Sequence, residues 1–428
     1  MPLMLASAAA GGGRTAGSSP VREQPEPRRP GVACRARCVL GRGAGVGTGR
    51  WPDGHWQGSS FEHRCGGPMR RGGRIANSLL ALLSRDWLGL PVALVAVAAG
   101  IGLAGVGAAW AAALGGLALA VGVLLAAGSV RHLVLMARAR RENPPPGRSV
   151  EVGGHRMHVL AEGKAGGGPT VVWMPGGHAP GEDFRELHTR MSHRNRSVLV
   201  DRFGTGWSDV GPFPRTTAGE AEELLAALDG AGERAPFVLV GHSFGGLLVA
   251  NAARRRPDLV AGLVLLDPTP PEVVAFAPSG GQVTAMRRAL LRAAVRHLFG
   301  AHRGPGGRTG QDCAAASAFA ELTPRGLAEV AWQTVVYDGD LGDLPLVLVI
   351  PRDLTGGETV LAAGRDAAET ERISRFYLRA RTRYLAASTA ARLVHTPEGT
   401  GHEFPYEVPG FVVDVVGELL RELRANGR

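Results

Sequence analysis

The pattern of apolar and polar positions divides the chain into three regimes. Residues 1–75 show neither helical nor alternating periodicity and are rich in Gly, Ala, Arg, Pro and Ser, which predicts a disordered basic tail. From Trp87 through Val130 there are 44 consecutive residues without a charge. One bilayer crossing needs about 20 apolar residues, so this tract predicts a transmembrane helical hairpin within residues 76–142. Its helices are expected near 88–108 and 113–135, with the turn close to Trp110. Asn143-Pro144-Pro145-Pro146-Gly147 opens a stiff linker over 143–149, where proline prevents a helix from continuing.

Beyond residue 150 the period changes to that of a sheet protein, and this domain is expected to run over 150–428. Ser149–Val152 and His155–Ala161 predict a hairpin turning at Gly153-Gly154. Short apolar runs at 170–174, 197–200, 237–240, 261–266, 344–350 and 391–395 predict strands. Helical stretches at 217–228, 246–253, 368–387 and 411–423 separate them. Uninterrupted apolar strands alternating with helices imply an α/β fold whose central sheet is mostly parallel and covered by helices on both faces. Residues 268–344 break the rhythm with amphipathic stretches near 283–299, 314–322 and 324–336, the pattern of a helical lid inserted between two strands.

Charge changes this picture little. The net charge of +10 resides in the tail and in the arginines flanking the apolar tract, so residues 151–428 carry −2 and no nucleic-acid footprint is expected. Arginines lie outside both ends of the tract, at Arg70, Arg71, Arg74 and Arg85 and at Arg131, Arg138, Arg140 and Arg141. The positive-inside tendency then predicts an integral membrane protein with its domain over 150–428 facing the cytoplasm. Cys34, Cys38 and Cys65 fall in the tail and Cys313 stands alone, which supports neither a disulfide framework nor a zinc site.

Candidate chemistry centres on Gly241-His242-Ser243-Phe244-Gly245, placed between an apolar run and a helical one. A serine at a strand-to-helix turn between glycines is the nucleophile-elbow pattern, with the hydroxyl presented above the sheet edge. Asp201-Arg202-Phe203-Gly204-Thr205-Gly206-Trp207-Ser208-Asp209 follows an earlier strand, and Asp201 and Arg202 are expected to pair beneath the site. With these motifs in this order, residues 150–428 resemble the α/β-hydrolase superfamily, in particular its proline-iminopeptidase-like and esterase-like serine hydrolases.

The resemblance implies a base, an acid and an oxyanion hole for Ser243. His402, in Gly401-His402-Glu403 after the final strand, is the implied base, and His242 an implied support of the elbow. For the acid, both Asp353 and Asp267 stand at positions that relatives use. The oxyanion donors are the backbone amides of Phe244 and of Gly177 or Gly176. Phe276, Met286 and Trp332 in the lid are candidates either for substrate contact or for the lid's own packing. Together these imply a membrane-anchored serine hydrolase acting on a small-molecule ester or amide, lipid-like if access from the bilayer decides. The alternatives are a catalytically silent membrane scaffold and an acyltransferase on the same elbow. No metal, nucleotide or redox cofactor is indicated, and no oligomeric state.

Overall fold

Two helices packed against each other precede an eight-stranded sheet. The computed structural model describes residues 82, 85, 87–166, 168–177, 179–213, 215–272, 288, 292, 339–352 and 366–427, without the side chains of 139 and 140. The predicted tail, the lid helices and the candidates Phe276, Met286, Trp332 and Asp353 lie outside them.

Helix α1 (Gly89–Ala104) and helix α2 (Ala109–Glu142) form the hairpin. They approach to backbone contact where side chains are smallest. A Cβ on Gly115 would lie 2.8 Å from the Gly100 carbonyl oxygen, and one on Gly122 would lie 2.7 Å from Val97. Large apolar side chains including Leu94, Val95, Ile101, Trp110, Leu117 and Leu124 point outward and are exposed, the arrangement expected of helices whose solvent is lipid. Of the two, α2 is long and apolar enough to cross a bilayer, over Ala109–Arg138, whereas α1 has 16 residues. Gly105 and Gly107, the latter at φ +80°, form the turn between the two helices.

The sheet runs β1 (Arg148–Val152), β2 (His155–Glu162), β3 (Thr170–Met174), β4 (Ser197–Val200), β5 (Phe237–His242), β6 (Val260–Leu266), β7 (Leu346–Ile350) and β8 (Ala391–His395). Its spatial order is β1-β2-β4-β3-β5-β6-β7-β8, with β2 antiparallel to both its neighbours, β1 and β4, and every other pair parallel. β1 and β2 turn at Gly153 and Gly154, both at positive φ, the backbone a two-residue hairpin turn requires.

Strands β3 to β7 are buried at every residue, so alternate side chains feed two cores. On one face Val172, Leu239, Leu263 and Leu348 meet α4 (Thr217–Gly230) and α5 (Phe244–Arg255). On the other, Val171, Val240, Val264 and Val347 meet α3 (Arg185–Ser192) and α7 (Pro409–Ala425). Between β6 and β7 the chain leaves the sheet. Between β7 and β8 it forms α6 (Ala367–Thr382), capped by Asp366, whose carboxylate accepts from Glu369 N–H.

Candidate active site

Strand β5 ends at His242 and α5 begins at Phe244, so the whole reversal falls on Ser243, at φ 52° and ψ −123°. That backbone is strained for a residue with a Cβ. Three hydrogen bonds hold it: Ser243 N–H donates to the Leu266 carbonyl at 3.0 Å, and the Ser243 carbonyl accepts from Gly246 N–H at 3.0 Å and Thr269 N–H at 2.8 Å. The flanking glycines have steric reasons. A Cβ on Gly241 would lie 2.5 Å from the Gly245 carbonyl oxygen, and one on Gly245 would fall on the carbonyl oxygens of Met174 and Pro175. Gly245→Ala is therefore expected to destabilise the fold by about 1–3 kcal/mol, the cost of overpacking a close contact. Thermal unfolding should report it, while Gly102→Ala, with nothing within 4 Å of the added atom, should not lower the midpoint.

Ser243 Oγ lies 3.4 Å from Thr269 Oγ1. Asp267 follows β6 at φ 39°, its N–H donating to the Val349 carbonyl at 2.7 Å. Its carboxylate is buried and used at both oxygens. His402 Nδ1 donates to Oδ2 at 2.6 Å, and Arg381 Nη1, from α6, donates to Oδ1 at 3.0 Å. Burial pushes the Asp267 carboxyl upward, but the His402 hydrogen bond and the charges of His402 and Arg381 outweigh it and hold the group below the usual carboxylate range. For His402 burial favours the neutral ring, yet the Asp267 hydrogen bond and charge prevail, with help from Glu403, and the imidazole pKa is raised. Arg381 acts on His402 in the opposite sense.

His242 ties the histidine loop to the elbow. Its Nε2–H donates to the His402 carbonyl at 2.9 Å, and the two rings lie 4.6 Å apart between centroids. Burial, reinforced by the His402 charge, pushes the His242 pKa down to about 3, so this ring stays neutral beside the titrating one. On the other side of the serine, Gly176 is so close that a Cβ there would lie 2.8 Å from Ser243 Cβ. Gly177 follows at φ 42°. The Phe244 amide opens α5, and the Arg202 guanidinium lies 5.5 Å from the Phe244 ring centre.

The structure thus brings Ser243, Phe244, Gly176, His242, Asp267 and His402 to one end of the parallel strands. The expected Asp201–Arg202 pair is not formed. Asp201 accepts from His158 Nδ1, Gly181 N–H and Trp207 N–H, whereas Arg202 donates to Glu220 at 2.8 Å. Adjacent residues in extended chain leave on opposite sides, so each finds its own partner. Three residues at the site carry no sequence signal. Thr269 stands next to Ser243, Tyr384 Oη donates to the Thr269 carbonyl at 2.9 Å, and Arg381 is one arginine among several on α6.

A serine elbow, a carboxylate–histidine pair and a doubly covered parallel sheet define the hydrolase class of α/β proteins. The model of the alpha/beta hydrolase family matches residues 171–415, and the chain belongs to that family. Among curated relatives, Lipase LipV of Mycobacterium tuberculosis is 44% identical over 138 residues, 32% of this chain and 48% of that protein. The 2-(acetamidomethylene)succinate hydrolase of Mesorhizobium japonicum is 32% identical over 123 residues, 29% of this chain and 43% of that one. The chain thus spans less than half the length of these relatives. A probable hydrolytic enzyme of Pseudomonas aeruginosa PAO1 shares the fold at a TM-score of 0.50 and 21% identity, covering 64% of this chain and 93% of its own.

Proposed function

We propose that the protein is a membrane-anchored serine hydrolase that cleaves an ester or amide through an acyl-enzyme, with Ser243 as nucleophile, His402 as base and Asp267 as the acid that orients it. The observation that carries the reading is the 2.6 Å contact between His402 Nδ1 and Asp267 Oδ2, which leaves Nε2 as the nitrogen available to the serine. Ser243 Oγ turns from Thr269 to His402 and attacks the acyl carbon as its proton passes to Nε2. The amides of Phe244 and of Gly177 or Gly176 hold the oxyanion. The imidazolium returns the proton to the departing alcohol or amine. Water then adds to the acyl-enzyme by the same route and releases the acid, restoring Ser243. Arginines at both ends of the uncharged tract support a cytoplasmic position for the domain.

A fluorophosphonate probe tests the reading, since it forms a bond only with an activated serine. Labelling at Ser243 is expected, and folded protein that takes no label would indicate a silent scaffold. The pH profile is a second test. His402 must be neutral to accept the proton, and its pKa is raised from 6.5, so kcat/KM should fall with acidification along a limb centred above 6.5. Arg381→Met removes the cation that lowers the imidazole pKa and should move that limb to higher pH. A limb that stays in place would show that Arg381 does not tune the imidazole.

A further inference from the structure

The anchor and the candidate active site meet at one edge of the sheet. After α2 ends at Glu142, the linker is bound to the domain. Trp207 Nε1 donates to the Asn143 carbonyl at 3.1 Å, and Gly147 N–H donates to His158 Nε2 at 3.1 Å. His158 Nδ1 in turn donates to Asp201 Oδ2 at 3.0 Å, and Asp201 Oδ1 accepts from Gly181 N–H at 2.6 Å, four residues beyond Gly177. The His158 and Trp207 rings lie 4.9 Å apart, and Pro146 lines a small cleft with them and Glu182. His158 and Asp201 are 3% and 1% exposed. The dock thus joins an exposed linker to a buried His158–Asp201 pair through half-buried Trp207 and Gly147.

Its position follows from strand direction. β2 runs antiparallel to β4, with Val159 opposite Val200, so His158 and Asp201 stand at the carboxyl end of β4. Ser243 and Asp267 leave the carboxyl ends of β5 and β6, and β3 alone separates β4 from β5. Two inter-strand spacings place the dock about 10 Å from the serine strand, on the same edge. The uncharged tract ends at Val130, and α2 continues as helix to Glu142, with Arg131, Arg138 and Arg141 on that extension. Twelve helical residues span about 18 Å, an upper limit on the rise from the hydrocarbon to the linker.

We infer that the linker dock turns the catalytic edge of the sheet toward the bilayer, so that the substrate of Ser243 is an amphiphilic acyl ester resident in the membrane. A dock at the opposite edge would have turned Ser243 toward bulk water, and an undocked linker would have set no direction. The inference rests on the serine hydrolase reading. Cleavage of such an ester breaks the acyl C–O bond, consumes one water and releases a carboxylic acid and an alcohol, and the acid's chain can return to the bilayer.

The experiment uses the full chain in phosphatidylcholine vesicles and two esters with one leaving group, p-nitrophenyl palmitate in the same vesicles and p-nitrophenyl butyrate in solution. Fluorophosphonate labelling of Ser243 reports folding and competence independently. Inserting about eight Gly and Ser residues between Glu142 and Asn143 preserves the dock but frees the edge over roughly 16 Å. Palmitate turnover should fall about tenfold, the cost of losing orientation, while butyrate turnover and labelling change by less than about twofold. Trp207→Phe keeps the ring beside His158 but removes the bond to Asn143, and should lower the palmitate-to-butyrate ratio in the same direction. Palmitate turnover indifferent to the insertion, or wild-type protein that cleaves butyrate but not palmitate, would overturn the inference. Absence of both activities and of the label would instead remove the hydrolase reading on which it stands.

Discussion

Ser243→Ala is expected to abolish fluorophosphonate labelling and to lower p-nitrophenyl butyrate hydrolysis by a factor on the order of 10⁴ to 10⁶. The change removes one oxygen from a half-buried position and leaves the bonds that shape the elbow, all of them backbone, in place. Stability should therefore be nearly unchanged, and a melting curve that overlays wild type would make the loss chemical. His402 and the oxyanion amides remain, but with no hydroxyl to activate they can act only on water, which accounts for a small residual rate. A label that survives this substitution would place the nucleophile elsewhere.

The second large effect distinguishes the two candidate acids. Asp267→Asn should reduce kcat by about 10⁴, because an amide that presents N–H to His402 Nδ1 reverses the tautomer and withdraws the charge that stabilises the imidazolium. Asp353→Asn should change kcat by less than about twofold on the reading that Asp267 is the acid. The Asp267 variant also leaves Arg381, 5% exposed, facing a neutral group. Losing one partner of a buried pair costs about 3–5 kcal/mol, so its unfolding must be measured beside its kinetics. Asp267→Asn combined with Arg381→Met also removes the cation that Asp267 balances, and should recover stability without recovering kcat. If stability and kcat recover together, Asp267 serves the fold and not the reaction.

Much of the sheet was legible because a strand buried on both faces has to be apolar throughout. The runs at 170–174 and 197–200 coincide with β3 and β4, and the one at 391–395 with β8, a more exposed edge strand. Boundaries shifted where one residue's chemistry outweighs the pattern. β7 begins at Leu346 rather than Leu344, after Pro345, which has no N–H for the ladder. α5 begins at Phe244 although Gly245 and Gly246 are poor helix formers, since the first turn is needed to carry the chain past the elbow. α2 runs to Glu142 rather than 135, its last turns supported by an Arg138–Glu142 pair one turn apart.

At the site, the serine and histidine could be found because local spacing and chain order mark them. The acid could not be chosen that way, since both aspartates follow strands. The structure pairs His402 with Asp267, a contact across 135 residues that spacing along the chain does not reveal. Arg381 and Thr269 were missed for the same reason. Nothing within α6 tells the arginine that turns inward from those that face water, and a threonine two residues after an aspartate has no meaning until Ser243 is beside it.

That sequence separation also imposes a timetable on synthesis. Ser243 and Asp267 follow adjacent strands and can be assembled early, but His402, which pairs with Asp267, is translated 135 residues later. At ribosomal speeds this is a delay on the order of ten seconds, during which the hairpin has already emerged. On the serine hydrolase reading, both apolar helices are therefore synthesised well before Ser243, Asp267 and His402 can come together, and competence would follow insertion of the hairpin.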